Sequence, residues 1–442
     1  MPKTSPSEGK SRPPGTTPAR LSAREHRVTA EDINTSALQI VERLEEAGFQ
    51  AYLVGGCVRD LLVGGHPKDF DIATDATPEE IRAQFRRAHI IGRRFRIVHV
   101  RTGREVTEVT TFRAHHETGN NIEAASSEHG MLLRDNVYGD IESDALRRDF
   151  TMNALYYSPS RGEITDFTSG IADIQAKRVR MIGDPVTRYQ EDPVRMLRAV
   201  RLAAKLDFAI ESATAGPIHD LGHLLGNVPP ARLFDEVLKL FMTGQATKVY
   251  DELRRYGLFD HLFPETGALL KADNEFAGAL IRQAAINTDL RIHNNQRVTP
   301  AFILAIILWP AATAHQEQLV ADGVSPLPAL QQAAQWVINR QIQRVSIPRR
   351  FTMPIREIWE LQLRLPRRSG NQAFRLLSHP RFRAAYDFLL LREQAGEDHA
   401  GLGEWWTRFQ ASDEAERKAM ASEVQGPRKR ARKRQPRKRP PQ

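Results

Sequence analysis

Asp69-Phe70-Asp71 sets two carboxylates two residues apart. In a strand such positions share a face, with Phe70 turned the other way into a core. Like charges that close are costly unless a cation lies between them. Oxygen ligands at this spacing suit Mg²⁺, which binds through one or two carboxylates plus substrate phosphates and keeps several waters. Glu108, in Glu108-Val109-Thr110-Thr111-Phe112-Arg113, is a third acid, sharing one face of a later strand with Thr110. If that strand lies beside Asp69 and Asp71, three carboxylates meet. Such a set can hold two divalent ions and activate a hydroxyl for in-line attack on phosphorus. Glu105 competes for the role, but its odd spacing from Glu108 turns it to the opposite face. Upstream, Gly55-Gly56 follows an apolar segment and precedes Val58-Arg59-Asp60. Glycines at a strand-to-helix turn let the backbone approach a phosphate, and the helix N-terminus supplies amide donors. No GxxxxGK[ST] pattern follows, so the turn is not a P-loop.

The elements that must position these groups are legible around them. Asn34 opens a helical pattern with Ala37, Leu38, Val41, Leu44 and Ala47 on one face, closed by Gly48. Phe49 to Val54 reads as a strand ending in Gly55-Gly56, and Cys57 to Leu62 as a helix. Phe70 to Ala73 is a second strand. Thr77-Pro78-Glu79-Glu80 is a capping box with Pro at the first helical position. Ile90 to Val100 and Arg104 to Phe112 alternate like two strands joined at Thr102-Gly103. Ile164 to Phe167 is a further strand. After about residue 172 strand signals stop, and helical spacing covers Pro193–Ala204, Pro230–Met242, Ala246–Tyr256, Pro300–Leu308 and Pro328–Val337. The segments Asn287–Val298 and Thr313–Leu327 are the best loop candidates.

At 442 residues, with 41% hydrophobic and 26% charged, the chain has the make-up of a globular protein of several domains. One cysteine, Cys57, excludes an intramolecular disulfide and any multi-cysteine metal site within one chain, and fits a reducing cytoplasm. No apolar run is long enough to span a membrane, and the first thirty residues lack the apolar region of a secretory signal. There are 63 Lys and Arg against 54 Asp and Glu, a net charge of +9. Nine of those cations (Arg428, Lys429, Arg430, Arg432, Lys433, Arg434, Arg437, Lys438 and Arg439) fall in one acid-free arm; without them 54 face 54. A block of like charge repels itself and cannot pack, so a disordered tail for a polyanion, nucleic acid before membrane surface, is expected.

Taken in order, Leu53-Val54-Gly55-Gly56-Cys57-Val58-Arg59-Asp60, Asp69-Phe70-Asp71, Glu108, Arg147-Arg148-Asp149-Phe150-Thr151-Met152-Asn153-Ala154 and Glu191-Asp192-Pro193-Val194-Arg195 resemble the class II nucleotidyltransferases. That family contains the bacterial poly(A) polymerases and the CCA-adding tRNA nucleotidyltransferases. The resemblance covers roughly residues 35 to 260. It implies an α+β fold, a small mixed-sheet nucleotidyltransferase head followed by an elongated helical neck, body and C-terminal region. The expected boundaries are a disordered segment 1–30, the head 31–172, the neck with base recognition 173–242, the body and RNA-binding region 243–420, and the disordered basic tail 421–442.

By the same resemblance, Asp69, Asp71 and Glu108 are the catalytic, metal-binding carboxylates. Gly55, Gly56 and Arg59 hold the triphosphate, and Arg148, Asp149 and Asn153 line the nucleotide pocket. Asp192 and Arg195 read the base; three apart on a helix, they would share a face and offer an acceptor and a donor to adenine. Two Mg²⁺ ions would be the cofactors and ATP the substrate. Ile90 to Val100, with Arg93 and Arg94, is similar to the stretch that separates the polymerases from their CCA-adding relatives. The basic tail agrees, because unrelated RNA 3′ ends must be held through phosphates alone. Arg93, Arg94 and the tail cations Arg428, Lys429, Arg430, Arg432, Lys433 and Arg434 are the RNA-contact candidates. The expectation is template-independent transfer of AMP to RNA 3′ ends in the cytoplasm by a monomer, with RNA-decay partners such as ribonuclease E. CCA addition to tRNA, or a catalytically silent RNA-binding protein on the same scaffold, are the alternatives. His219-Asp220, His115-His116, Cys57 and Trp405-Trp406 read as structural.

Overall fold

The computed structural model describes residues 17–92, 96–114 and 137–424, and the backbone of 124–126 and 132–135. The chain divides into two compact units: residues 1–228 with 252–258, and residues 229–251 with 259–442.

The first unit is built on an eight-stranded mixed sheet. Its strands are β1 (Ala19–Ser22), β2 (Ala51–Val54), β3 (Asp71–Thr74), β4 (Ala88–Ile91), β5 (Ile97–Thr102), β6 (Glu105–Thr111), β9 (Leu155–Ser158) and β10 (Glu163–Asp166). Strands β7 (Ala124–Ser126) and β8 (Leu132–Asp135) form a separate two-stranded ribbon. The spatial order is β1-β10-β9-β2-β3-β6-β5-β4. All neighbours are antiparallel except β3 and β6, which run parallel.

Alternation along the strands sends Leu53, Ile72, Val98, Val109 and Tyr157 into a core with Ala37, Ile40, Val41 and Leu44 of the helix Thr35–Glu46, and with Val58 and Ile81. Phe70 joins that core as expected. Tyr52, Val54, Ala73 and Tyr156 face the other way, into a second cluster with Phe112 and Ala145. The strands therefore bury both faces. The capping box expected at Thr77 is present: the Thr77 hydroxyl accepts from the Glu80 amide at 3.3 Å and the Glu80 carboxylate accepts from the Thr77 amide at 2.8 Å.

Three local expectations need correction. The lead-in to residue 30 is not structureless throughout, because Ala19–Ser22 pairs with Glu163–Asp166 and completes the sheet edge. Ile90–Val100 is not one strand: it breaks into β4 and β5, which pair antiparallel. Strand structure also continues past residue 172, where β11 (Arg178–Val179) pairs with β12 (Ala209–Ile210).

The second unit is helical. Its core packs Trp309 against Trp359 in a tilted pair, interplanar angle 48° and ring centroids 6.1 Å apart, and the Trp359 indole donates to the Ala305 carbonyl at 2.9 Å. Both expected loops lie mostly in helices, Glu275–His293 and Pro300–Ala321. Thr288 is buried there, and Asp289 caps a neighbouring helix, accepting from the amides of Ala246 and Thr247 at 2.6 and 2.9 Å. Pro310 lies inside the second of these helices; two residues after it the apolar stripe fades while the helix continues. Among the described residues, no helix is long and apolar enough to cross a membrane.

Candidate active site

The site forms where β2, β3 and β6 meet. Val54 pairs with Asp71 across β2 and β3. The β3–β6 register joins Ile72 to Val109, so one step back Asp71 stands beside Glu108. Across β6, Glu108 pairs with His99, whose Nε2 lies 3.3 Å from its carboxylate. Glu105 accepts from the Asn34 amide at 2.9 Å, away from this group, as its spacing requires.

Asp69 and Phe70 precede β3 rather than belonging to it. The acids share one electrostatic neighbourhood. Although its side chain has an open face, the Asp71 carboxyl is pushed up to about 6, first by the protein packed around it, then by Glu108 and by Asp69, while Arg148 pulls the other way. Among the described residues, however, no three acidic, His or Cys side chains stand close enough to hold a metal ion unaided. The expected triad is thus an acidic crowd rather than a closed cage.

Gly55 forms the floor. Its φ of +83° and ψ of −136° fall in backbone space reserved for glycine. A Cβ there would lie 3.7 Å from Arg148 Nη1 and 3.8 Å from Asp71 Oδ2, so these two side chains flank the turn from opposite charge. Gly56 starts the helix Gly56–Leu62, and a Cβ on it would meet Arg59 Nη2 at 3.4 Å. Cys57 packs behind, its thiol donating to the Val54 carbonyl and pushed up to about 11 by burial, which makes it inert at neutral pH.

A hydrogen-bonded chain links the remaining candidates. Buried Arg59 donates to Asp60 at 2.6 Å and to the Asn153 side-chain oxygen at 2.6 Å. Asn153 donates to Asp149 at 3.1 Å, and Arg198 Nε donates to the other Asp149 oxygen at 2.6 Å. Burial alone would raise Asp149, yet Arg198 and Asn153 hold it at about 2. Arg148 is fixed by Asp144 (2.9 Å) and the Tyr156 hydroxyl (2.9 Å), and Tyr156 in turn donates to Asp144 at 2.6 Å. Burial opposes the Arg148 charge, but Tyr156 and Asp144 keep it firmly protonated.

Asp192 and Arg195 are arranged differently from expectation. Asp192 caps the end of the helix Pro185–Glu191 in extended backbone, so the two residues do not share a helix face. Pro193 follows it and starts the next helix, Val194–Leu206, which explains the break. Arg195 pairs with Glu191 at 2.8 Å and donates to the Arg188 carbonyl at 2.7 Å.

Arg188 was not foreseen. It donates to Glu191 at 2.8 Å and to the carbonyls of Arg147 and Arg148 at 2.5 and 2.6 Å, tying the end of the helix Pro185–Glu191 to the Arg147-Arg148 segment. Burial first, and then Arg113, Arg188 and Arg195, push Arg147 down to about 9; burial and Arg195 push Arg188 down to about 10. A sequence signal for Arg188 existed only in its spacing, one helical turn before Glu191. Tyr156 and Asp144 carried no such signal.

Arg93, Arg94 and the tail residues Arg428, Lys429, Arg430, Arg432, Lys433 and Arg434, like His115 and His116, lie outside the described residues. His219 and Asp220 are exposed on the surface, while Trp406 is fully buried and donates to the Leu365 carbonyl at 3.2 Å.

Three family models match the chain: the poly A polymerase head domain over residues 51–180, the polymerase A arginine-rich C-terminus over 322–440, and, between them, "Probable RNA and SrmB- binding site of polymerase A" over 207–270. The chain is 46% identical over 424 residues to poly(A) polymerase I of Salmonella typhimurium, covering 94% of this chain and 91% of that protein. It is 30% identical over 314 residues to a CCA-adding enzyme of Lactobacillus delbrueckii, covering 71% and 72%. Among solved structures, the CCA-adding enzyme of Bacillus stearothermophilus in complex with CTP aligns over 85% of this chain and 82% of its own, with 25% identity and a TM-score of 0.51.

Proposed function

The chain belongs to the bacterial poly(A) polymerase family, the polymerase branch of the class II nucleotidyltransferases, and from that premise we propose the roles of its residues in AMP transfer. It is a template-independent polynucleotide adenylyltransferase that adds AMP from ATP to RNA 3′ ends. In that reaction the 3′ oxygen bonds to the α-phosphorus, the bond to the β-phosphate oxygen breaks, pyrophosphate leaves, and the hydroxyl proton is released.

One observation supports the assignment of roles best. The site carries charge of opposite sign on the two sides of the Gly55 turn: Asp71, raised to about 6 by burial and then by Glu108 and Asp69, on one, and Arg148, next in sequence to an Arg147 lowered to about 9 by burial and then by Arg113, Arg188 and Arg195, on the other. A divalent cation with a triphosphate is the electrostatic complement of that pair. The donor set fits Mg²⁺, because it is all carboxylate oxygen and Mg²⁺ needs only one or two such ligands beside substrate phosphates. Asp71 and Asp69, with Glu108, would hold it, and it would supply a lowered pKa for the attacking hydroxyl and neutralisation of the triphosphate. The open Gly55-Gly56 turn admits the phosphates, and Arg148 faces them. Asn153 and Asp149, held by Arg59 and Arg198, shape the sugar pocket. Asp192 supplies an acceptor to the base, and Arg195, steadied by Glu191, a donor. A cytoplasmic monomer acting on single-stranded 3′ ends alongside RNA-decay partners completes the proposal.

Labelled ATP or CTP, offered separately with Mg²⁺ and an unstructured oligoribonucleotide, tests it. ATP should yield a long ladder and CTP almost none; addition confined to a truncated tRNA and stopping at three residues would overturn the adenylating role. Asp71→Ala should lose AMP incorporation by about a thousandfold or more while still binding RNA. Normal incorporation by that variant would remove the catalytic assignment.

A further inference from the structure

Past Glu108 the sheet carries a strip of side chains to which the transfer chemistry gives no role. Ala88, Val98 and Val100 point into the core and Ile90 packs against it, so by alternation His89 and Ile91 of β4 and Ile97, His99 and Arg101 of β5 share the opposite face. Asp71 and Glu108 stand on that same face, because Thr110, two residues beyond Glu108, pairs with Ala73 of the second cluster. Register sets four of these side chains in one line: Asp71 beside Glu108, Glu108 opposite His99, His99 opposite His89. On one flank of the line Ile97 pairs with Ile91; on the other Arg101 stands opposite uncharged Val106. The strip is accessible. Ile91 is 38% exposed, His89 and Arg101 are exposed, and Ile97 and His99 are half-buried.

We infer that this strip is the subsite for one nucleotide, the last of the acceptor strand: its base against Ile91, Ile97 and the two imidazoles, its 5′ phosphate toward Arg101, its 3′ oxygen at the Glu108 end. The inference rests on the AMP-transferring role proposed above and assigns the second substrate of that reaction to named side chains. In-line displacement requires the attacking and leaving oxygens on opposite sides of phosphorus. With the triphosphate at the Gly55 turn and Arg148, pyrophosphate departs on the β2 side of Asp71. The attacking oxygen then arrives from the β6 side, where Glu108, His99 and His89 follow in order. Along β5 an isoleucine, an imidazole and a guanidinium succeed one another at about 6–7 Å, and so offer the base, ribose and phosphate of a nucleotide a partner each. Isoleucine and imidazole meet the face of a base and leave its hydrogen-bonding edge unread, so all four bases fit. A base inside a duplex has its faces stacked on its neighbours, so the strip takes an unpaired end.

The test compares two acceptors on the full chain with Mg²⁺ and ATP. One is an unstructured oligoribonucleotide; the other is identical except that its last nucleotide keeps the 3′ hydroxyl and lacks the base. Removing the base should cost the unmodified protein about tenfold in kcat/KM for RNA. The double variant His89→Ala/Ile91→Ser changes only the outermost strand, two strands away from Glu108. It should lose about tenfold on the intact acceptor and less than about twofold on the baseless one, because one contact can be removed only once. Its KM for ATP should stay within about twofold of the parent value. Arg101→Gln should make the salt dependence of KM for RNA shallower by about 0.7 in slope, one phosphate contact. Equal losses on both acceptors, no loss on either, or a parallel rise in KM for ATP would each overturn the subsite. So would a baseless acceptor that the unmodified protein extends as well as the intact one, a result that needs no variant to fold. An unmodified protein that adds no AMP to either acceptor would strike the functional reading and the subsite with it; normal addition alongside any of the contrary results strikes the subsite alone.

Discussion

Asp71 is asked to be two things at once. Its proposed role in catalysis needs it ionised, yet its surroundings favour the proton. A carboxyl whose folded pKa is raised to about 6 stabilises the fold at low pH, and that contribution is lost as pH rises through the same value. In metal-free buffer at pH 8, Asp71→Asn should therefore melt higher than the parent, by up to about 1 kcal/mol once solvent screening of this accessible group is allowed for. An unchanged or lower melting point would mean that neither burial nor the neighbouring acids disfavour the charge on Asp71. In the parent enzyme, AMP transfer should fall as pH drops through about 6. The acids, the glycines and the arginine-bearing motifs are each ordinary alone and were legible in the sequence because they occur together in one order. Their partners were not. Tyr156 reads as an ordinary strand aromatic, and nothing in its neighbours announces that its hydroxyl fixes Arg148.

At the scale of elements, the Gly55 turn is the most exacting part. Gly55→Ala meets no hard clash, since its nearest neighbours would be at 3.7 and 3.8 Å. The cost comes from the backbone, about 1–3 kcal/mol for a side chain at that φ and ψ, and denaturant unfolding should show it. If the turn relaxes to a common conformation instead, stability will be kept and KM for ATP will rise. Helices flanked by caps and strands beside the motifs were readable because pattern and punctuation agree there. The errors have physical causes. β1 is four residues whose only strong signal is the edge of β10 waiting for it, a long-range pairing invisible to local pattern. The segments near Thr288 and Thr313 looked like loops because helices there place polar side chains on buried or capping duty, or run on after their apolar stripe ends. Asp192 looked helical, but Pro193 forces the preceding residue out.

Across the whole molecule, the nine tail cations account for the entire net charge. Deleting residues 424–442 should weaken RNA binding and flatten its dependence on salt, by up to about 6 in slope if every charge meets a phosphate of a single strand. A slope that does not move would mean the arm contacts something other than RNA. Because every residue assigned to the transfer site lies within residues 1–228, away from the tail in sequence, the same deletion should leave kcat close to the parent value at saturating RNA.

The interleaving of the two units carries a consequence for engineering. The unit that bears the eight-stranded sheet keeps residues 252–258, including buried Leu253 and Leu258, beyond a stretch of sequence that belongs to the helical unit. A single scission after residue 258 frees that unit only with residues 229–251 of the helical unit still attached, and one after residue 228 leaves residues 252–258 behind. Transplanting it onto another RNA-holding scaffold therefore means carrying residues 229–251 along, a piece whose own packing partners stay behind.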